Sequence, residues 1–329
     1  MKFLIAGLGS IGRRHLRNLV ALGQEDILLY RTNRSTLPDD ALAPYSVETD
    51  LAAALAHKPD AVIVSNPTAL HLDVAIPAAR AGCHLLLEKP VASQMDERVS
   101  TLHALVRESD VQVLVGFQFR FHPALMGIKA LLESGKVGAV HTFRVHWGEY
   151  LPGWHPWEDY RQSYAARKDL GGGVVNTLSH PLDYARWLFG EVAQLSAVTG
   201  QVSNLELDVE DVAEITLQMQ NGGIGSIHLN YIQRPPEHWL EIVCEKGQIR
   251  WDNETGVADY YLADSESWAA IQPPPGFERN DLFLGEMRHF LNLIAGEQPS
   301  RCDLTDGIQA LRMTSAVHES SREHRVVSL

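Results

Sequence analysis

The chain has 329 residues, 45% of them hydrophobic and 21% charged, which allows two domains with a core of good size. Its formal net charge of −13 argues against nucleic acid or an anionic membrane as the main partner, because those partners are bound through excess Lys and Arg. Cys83, Cys244 and Cys302 are too few and too scattered for a disulfide framework, so we expect reduced thiols in the cytoplasm.

The first 15 residues, "MKFLIAGLGSIGRRH", superficially resemble a signal peptide. Glycines interrupt the apolar run, arginines follow it, and no small-residue cleavage site is present. No other segment approaches the roughly 18 apolar residues that a spanning helix needs. We therefore expect a cytoplasmic protein without a membrane partner.

Short apolar runs alternate with helical patterns from residue 2 to residue 115. The candidate strands are "KFLIA", "ILLY", "AVIV", "HLLL" and "VQVLV". This alternation predicts a doubly wound parallel sheet, a Rossmann domain over residues 1–120. Ligands bind at the carboxyl ends of the strands in such sheets, which is where the loops "GLGSIG", "RTNR", "SNPT", "EKP" and "GFQFR" lie.

The loop after the first predicted strand fits G-x-G-x-x-G at Gly7, Gly9 and Gly12, with Ser10 and Ile11 between the last two glycines. The first glycine allows a tight turn, the second lets backbone N–H groups approach a pyrophosphate, and the third permits close helix packing. The alternative is a glycine turn that serves packing alone. We predict dinucleotide binding.

The second predicted strand ends in "LLYRTNR" and not in the acidic residue that usually holds the ribose of NAD. Arg31, Thr32 and Arg34 occupy this loop, and arginine can bind a 2′-phosphate bidentately. We therefore expect NADP in preference to NAD. Alternatively, these arginines are solvated surface charges and the acidic partner comes from elsewhere.

The fourth predicted strand runs into Glu88, Lys89 and Pro90, which cannot continue a central strand. A lysine beside a dinucleotide can hydrogen-bond the reacting hydroxyl, and burial would lower its pKa. Glu88 could oppose that shift, and Pro90 allows a cis peptide bond. The alternative is an exposed ion pair that ends the strand.

The pattern changes after about residue 120. A helix is predicted over "PALMGIKALLESG", and segments such as "AVHTFRVHWGEY", "DVAEITLQMQ" and "LEIVCEKGQIRWD" alternate with period two. Helices are predicted again over residues 279–296 and 304–321. We expect a second α/β domain over residues 121–329, built on a large, mostly antiparallel open sheet.

Five segments together resemble the Gfo/Idh/MocA family of NAD(P)-dependent oxidoreductases: "GLGSIGRRH", "SNPTALH", "AGCHLLLEKPVA", "VGFQFRFHP" and "LGGGVVNTLSHPLDYARWLFG". The resemblance covers nearly the whole chain. It implies a sugar, inositol or nucleotide-linked sugar as substrate, and a homodimer or homotetramer formed through the open sheet. It also implies cofactor contacts from six further residues, Ser65, Asn66, Thr68, His71, Glu88 and Lys89, and substrate contact by Lys89.

In that family an Asp and a proton-transferring His lie four residues apart after a glycine run. His180 matches the His, but Asn176 stands at the Asp position and cannot titrate, which leaves proton transfer to His180 or Lys89. On one helix Asn176, His180 and Asp183 would share a face, although Pro181 favours a helix start near Thr177 or Ser179.

Aromatic and cationic residues alternate over residues 147–169, where Arg161 and Tyr164 are candidate substrate contacts. Aromatic faces and arginines suit a sugar carrying an anionic group. The alternative is that this segment packs a loop onto the sheet.

Together these features predict an enzyme that transfers a hydride between nicotinamide and a carbinol or keto carbon, with Lys89, His180 and Asn176 in the catalytic site and no metal. Two rivals stay open: a glycosidase that cycles a bound nicotinamide, and a noncatalytic dinucleotide-binding sensor.

Overall fold

The computed structural model describes residues 1–32 and 42–329, so Arg34 lies outside the described residues. The chain forms two compact units. The first comprises residues 1–118, 169–171 and 279–311, and the second comprises residues 119–168, 172–278 and 312–329. This division differs from the expected boundary at residue 120, because residues 279–311 return to the first unit.

The first unit is built on a parallel sheet with the strand order β3-β2-β1-β4-β5-β6. The strands are β1 (Phe3–Ala6), β2 (Ile27–Tyr30), β3 (Ser46–Glu48), β4 (Ala61–Val64), β5 (His84–Leu87) and β6 (Val113–Val115). All predicted strands are present, and their residues are almost entirely buried, as expected for a sheet covered on both faces. The predicted doubly wound sheet is therefore confirmed. The edge strand β3 was not predicted, because it is short and two of its three residues are exposed.

Helices α1 (Ser10–Ala21), α2 (Leu51–Ala56), α3 (His71–Arg80), α4 (Glu97–Arg107) and α8 (Arg279–Ile294) belong to this unit. The α1 and α8 helices pack together, with the Arg14 guanidinium 4.4 Å from the centre of the Phe283 ring. The amide of Asn280 donates to Asn18 at 3.1 Å. These contacts explain why a segment near the C-terminus joins the first unit.

The second unit contains a sheet with the strand order β14-β13-β12-β11-β7-β10-β9-β8-β15. The strands are β7 (Val140–Tyr150), β8 (Val192–Gly200), β9 (Val212–Met219), β10 (Ile224–Asn230), β11 (Ile232–Cys244), β12 (Gly247–Asp252), β13 (Ala258–Leu262), β14 (Ser267–Ile271) and β15 (Val327–Ser328). Only the β10–β7 pair is parallel among the pairings of this sheet in the described chain. The predicted large, mostly antiparallel sheet is confirmed.

Alternation along β7 gives this sheet two different faces. Phe143, Val145 and Trp147 are buried in the core of the second unit, whereas Arg144 and His146 point to the opposite face. Helices α5 (Pro123–Glu133), α6 (Val174–Thr177), α7 (His180–Phe189) and the second half of α9 (Leu304–Glu323) belong to this unit. Across residues 1–32 and 42–329, no helix is both long enough and apolar enough to cross a bilayer.

Candidate active site

The glycine loop is shaped by two close backbone contacts. Gly7 has φ +97°, and a Cβ there would lie 2.4 Å from the backbone N of Asn66. A Cβ on Gly12 would lie 1.9 Å from the carbonyl oxygen of Gly7. Gly9, by contrast, has no atom within 4 Å of its would-be Cβ. Close packing thus explains why positions 7 and 12 require glycine. Gly9, by contrast, leaves open space in front of the helix.

Ser10 and Ile11 form the start of α1, directly after this open space, with Gly9 at the N-cap position and no side-chain cap. The first N–H groups of a helix have no acceptor within the helix, and the helix dipole adds partial positive charge there. The arrangement fits the pyrophosphate of a dinucleotide, which would occupy the space that the missing side chain of Gly9 leaves.

The loop after β2 is described only as far as Thr32. The backbone N–H of Arg31 donates to the carbonyl of Glu48 at 3.1 Å. Glu48 is therefore the acid that β3 brings to the end of β2, and its carboxylate already lies 2.9 Å from Nε2 of His57. Arg34, the third residue predicted for a 2′-phosphate, lies outside the described residues.

Side chains that follow β4 brace the glycine turn. The Ser65 hydroxyl donates to the carbonyls of Ala6 at 3.1 Å and Gly7 at 2.9 Å. Thr68 is buried, and the Asn66 amide donates to the carbonyl of Leu70 at 2.9 Å. These contacts fix the shape of the surface beside the glycine loop, and direct contact with a dinucleotide stays a prediction.

His71 joins the loop after β4 to the loop after β5. Its Nδ1 lies 2.8 Å from the carbonyl oxygen of Pro90, and its Nε2 lies 3.0 Å from that of Asn66. A neutral ring can donate to one of these carbonyls, and a protonated ring to both. Burial lowers the pKa of His71, although the charge of Glu88 and the hydrogen bonds to the two carbonyls act to raise it. This geometry lets the buried ring brace the two loops, and its contact with the cofactor stays a prediction.

Glu88 is paired inside the first unit. Its Oε1 lies 2.8 Å from Nε2 of His15, which is fully buried on α1, and its Oε2 accepts from the backbone N–H of Lys89 at 3.3 Å. Burial alone would raise the pKa of Glu88. The hydrogen bond and charge of His15, together with the charges of Lys89 and His71, outweigh burial and lower that pKa below its ordinary value.

Lys89 follows β5 and is partly buried, and its peptide bond to Pro90 is cis, as the sequence allowed. Burial lowers the pKa of Lys89 to about 8, although the charge of Glu88 opposes the shift. Near neutral pH this amine can both donate and accept a proton, which is what acid–base catalysis on a hydroxyl group requires. The interpretation as an exposed ion pair does not fit this buried setting.

Asn176 and His180 lie on two different helices, because α6 ends at Thr177 and α7 begins at His180. The expected shared face on one continuous helix is therefore wrong. The expected start near Ser179 is confirmed, and it places Pro181 in the first turn, where proline is tolerated. Both Asn176 and His180 are buried.

Aromatic rings surround His180. The Phe119 ring meets the His180 imidazole edge-on, with the ring centres 5.0 Å apart, and the Trp147 ring lies 5.7 Å away. Trp147 in turn stacks on His238 at 4.2 Å with an angle of 1° between the planes. The Tyr184 hydroxyl lies 3.1 Å from Nε2 of His238. We call His180, Phe119, Trp147, Tyr184 and His238 the aromatic cluster.

Burial lowers the pKa of His238 well below its ordinary value, and the charges of His122 and His146 add to the effect. His238 is thus a neutral hydrogen-bonding ring within the core. The sequence did not single out Phe119 or His238, although Phe119 lies within the quoted segment "VGFQFRFHP".

A buried ion pair fixes the first turn of α7. Arg120 binds both carboxylate oxygens of Asp183, from Nε at 3.0 Å and from Nη2 at 2.7 Å, and both side chains are 2% exposed. Asp183 lies three residues after His180 on the same helix. The pair thereby fixes the backbone that carries the imidazole.

Arg161 is already matched by two carboxylates. Its Nε and Nη2 donate to Asp159 at 2.8 and 2.9 Å, and its Nη1 donates to Glu206 at 3.0 Å. These partners raise the pKa of the half-exposed guanidinium, which stays charged and is paired with both carboxylates. Tyr164 begins a short 3₁₀ helix and packs against the core of the second unit. This geometry weakens the expectation that Arg161 binds an anionic substrate.

Comparison with known proteins gives matches over both units. A family model described as an oxidoreductase family with an NAD-binding Rossmann fold matches residues 1–117. A second model, described as the C-terminal alpha/beta domain of an oxidoreductase family, matches residues 129–329. Both are models of the Gfo/Idh/MocA family named above.

Full-length relatives agree with these matches. An uncharacterized oxidoreductase of Bacillus subtilis, YrbE, is 29% identical over 96% of this chain and 93% of its own length. Myo-inositol 2-dehydrogenase of Thermotoga maritima is 28% identical over 100% of this chain and 98% of its own length. A solved levoglucosan dehydrogenase, in complex with NADH and levoglucosan, has a TM-score of 0.88 at 21% identity and covers 100% of this chain and 99% of its own. That similarity supports the fold.

Proposed function

Because the chain belongs to the Gfo/Idh/MocA family of oxidoreductases, we propose that it transfers a hydride between a nicotinamide dinucleotide and a carbinol or keto carbon of a sugar or polyol. The observation that carries the proposal is the lysine at the end of β5. Lys89 lies at the carboxyl edge of the parallel sheet, and burial brings its pKa to about 8. An amine that exchanges its proton near neutral pH suits a reaction in which a hydroxyl proton leaves as the hydride moves.

Three residues divide the work in this proposal. Lys89 and His180 exchange the hydroxyl proton, and Asn176 orients the hydroxyl, since an amide cannot titrate. The aromatic cluster holds His180 and keeps water away from its ring. The dinucleotide supplies the hydride chemistry when bound, and the glycine loop with the start of α1 would hold its pyrophosphate. The side chains after β4 would support the same surface.

We propose NADP as the preferred dinucleotide, with NAD as the alternative. Arg31 and Thr32 follow β2 directly, and Arg34 follows in the sequence. The carboxylate of Glu48, which is the acid nearest in register to the end of β2, is engaged with His57. A cationic loop would favour the additional phosphate.

The substrate class that we favour is an uncharged sugar or polyol. Relatives of this chain are named for myo-inositol and D-apiose, and the structurally similar dehydrogenase for levoglucosan. A sugar acid or nucleotide-linked sugar would need a cation to bind its anionic group, whereas Arg161 is already paired with Asp159 and Glu206. Tyr164 then remains as the substrate contact of this loop.

We further propose a cytoplasmic homodimer or homotetramer formed through the outer face of the large sheet. On that face His228, His146 and Trp239 form a continuous stack across three neighbouring strands, with ring centres 4.8 and 5.4 Å apart. Val198 and Ile224 are exposed there as well. Such an uncovered aromatic and aliphatic surface suits a second copy of the sheet. The three cysteines are buried, and we expect them to be thiols in a reducing compartment.

The experiment is a turnover assay with a panel of uncharged polyols and sugar acids, with NAD⁺ and NADP⁺ in parallel. We expect reduced nicotinamide to accumulate with at least one polyol. Lys89→Ala should abolish turnover and retain dinucleotide binding, whereas Lys136→Ala, at an exposed lysine, should behave like wild type. Undiminished turnover of Lys89→Ala would reject the role of the lysine.

The same assay separates the rivals. A redox-cycling glycosidase would release sugar with no net change in nicotinamide absorbance, and a sensor would bind cofactor and turn over nothing. Equal affinity for NAD and NADP would discard the phosphate-binding role of Arg31 and Arg34.

A further inference from the structure

Behind Lys89 lies a buried cluster of ionisable groups that the proposed reaction does not use directly. Glu88, on the same loop, contacts His15 of α1, and Glu286 of α8 lies near enough for the charge of Glu88 to affect it. His15 and Glu286 are both 0% exposed. Such groups are costly to bury, so their presence calls for a function.

The geometry points to His15 as the residue that sets the protonation of Lys89, by holding Glu88 ionised beneath it. This inference rests on the proposed role of Lys89. His15 is a positioning residue in it, since it acts through Glu88.

The first step is the assignment of the charge on Glu88. Nε2 of His15 lies 2.8 Å from Glu88 Oε1, and the backbone N–H of Lys89 donates to Oε2 at 3.3 Å. A Cβ on Gly116 would lie only 3.1 Å from Oε2, so the glycine allows the carboxylate to lie close to the loop after β6. When the proton of His15 is on Nε2, both oxygens of Glu88 accept an N–H, and this pairing stabilises the ionised carboxylate, in line with the lowered pKa of Glu88.

The second step is the assignment of the charge on Glu286. Among the described residues, neither carboxylate oxygen of Glu286 has a hydrogen-bond partner. Burial raises the pKa of Glu286 well above its ordinary value, and the charge of Glu88 raises it further. Of these two neighbouring carboxyl groups, Glu88 therefore carries the negative charge and Glu286 keeps its proton.

The third step is the effect on Lys89. The groups that face Glu88 are His15 and Arg14 from α1, His71 from α3, Glu286 from α8 and Lys89 itself. Glu88 is the opposite charge that raises the pKa of Lys89 against its burial. If Glu88 took up a proton, the ammonium of Lys89 would lose that counter-charge and release its own proton at lower pH.

The test measures the titration of Lys89 directly, so it does not depend on turnover. Competitive labelling with trace acetic anhydride over a neutral-to-alkaline pH series, with Lys136 as internal reference, gives the midpoint at which Lys89 becomes reactive. In His15→Phe and in Glu88→Gln we expect this midpoint to fall by about one unit, the usual effect of losing a nearby opposite charge. The acid limb of kcat/KM should move with it.

Two matched variants distinguish this role from a general loss of packing. His15→Gln keeps a donor close to the position of Nε2 and should retain the wild-type midpoint. Glu286→Gln replaces a neutral acid by a neutral amide of the same shape and should also leave the midpoint unchanged. Should His15→Phe fail to fold, Glu88→Gln and His15→Gln still decide the question.

The inference is overturned if Glu88→Gln leaves the Lys89 midpoint unchanged or raises it, or if Glu286→Gln lowers it as much as Glu88→Gln does. Failure of the proposed function looks different. In that case the midpoints shift as expected, but no polyol is oxidised.

Discussion

The two candidate site regions are held together by different kinds of interaction. Around Lys89 the first unit uses charge, in the pair formed by His15 and Glu88. Around His180 the second unit uses shape, in the rings of Phe119 and Trp147. A charge network transmits changes of protonation over several ångströms, whereas packed rings resist movement and exclude water. We therefore expect the pH dependence of activity to come from the lysine region. In the histidine region we expect activity and stability to fall when a substitution leaves a cavity.

The second region nevertheless contains one strong electrostatic element, which gives the first test of this contrast. Asp183→Asn removes the negative charge that both Nε and Nη2 of the buried Arg120 guanidinium contact, and breaking a buried pair costs about 3–5 kcal/mol. We expect a large fall in the free energy of unfolding, measured by denaturant titration. The matched control is Asp73→Asn, which breaks the exposed pair with Arg98 and should cost less than about 1 kcal/mol. Equal losses in the two variants would contradict the role assigned to burial.

The next prediction concerns the rings. Phe119→Leu removes the edge contact with His180 and the contact with His238, whose ring centre lies 5.1 Å away. We expect a loss of about 1–3 kcal/mol in stability and a roughly tenfold lower kcat, with no shift of the pH profile. Phe3→Leu, in the buried start of β1 at the opposite end from the carboxyl edge, should lose similar stability and keep wild-type kcat. A shifted pH profile for Phe119→Leu would count against a purely steric role.

The lysine region is probed by the direction of its pH dependence. The pKa of Lys89 is lowered to about 8, so the neutral amine, which accepts the proton during alcohol oxidation, becomes more populated as pH rises through that value. We expect kcat/KM for oxidation to rise and kcat/KM for reduction to fall across this range, each by up to about tenfold per pH unit. Arginine does not titrate here, so Lys89→Arg should lose this limb. A wild-type profile that is flat near pH 8 in both directions would remove Lys89 from proton transfer.

The sequence predicted the first region better than the second, for a physical reason. Glycine spacing, strand ends and the Glu88–Lys89–Pro90 segment are local patterns, and parallel strands bring their carboxyl ends to one edge. The stack of Trp147 on His238 depends instead on the antiparallel register of β7 and β11, which pairs residues 91 positions apart. Nothing local in the sequence sets that register. The start of α7 near Ser179 was indicated by Pro181, whereas the separate short helix α6 before it was not predicted.

For Glu286, the sequence indicates the burial of the side chain but not its neighbour. In α8 Glu286 lies four residues after Leu282 and four before Phe290, which are both buried, so it stands on the apolar face of an amphipathic helix. That position marks a buried acid from the sequence alone. Its neighbour Glu88, however, comes from a strand end almost 200 residues earlier, and only the packing of α8 on α1 brings the two together.

The smallest expected effect comes from Glu286→Gln. This substitution should raise the free energy of unfolding, whereas Asp183→Asn and Phe119→Leu should lower it. Because the pKa of Glu286 is raised in the folded protein, the unfolded chain loses the proton first, and folding is progressively disfavoured as pH rises above the ordinary carboxyl value. Glu286→Gln removes this penalty without changing shape. We expect no gain in stability at acidic pH, below that ordinary value, and a gain on the order of 1 kcal/mol at mildly alkaline pH, measured by thermal unfolding at each pH. A gain of equal size at all pH values would mean that Glu286 is strained by packing and not by charge, and the assignment of the negative charge to Glu88 would lose its support.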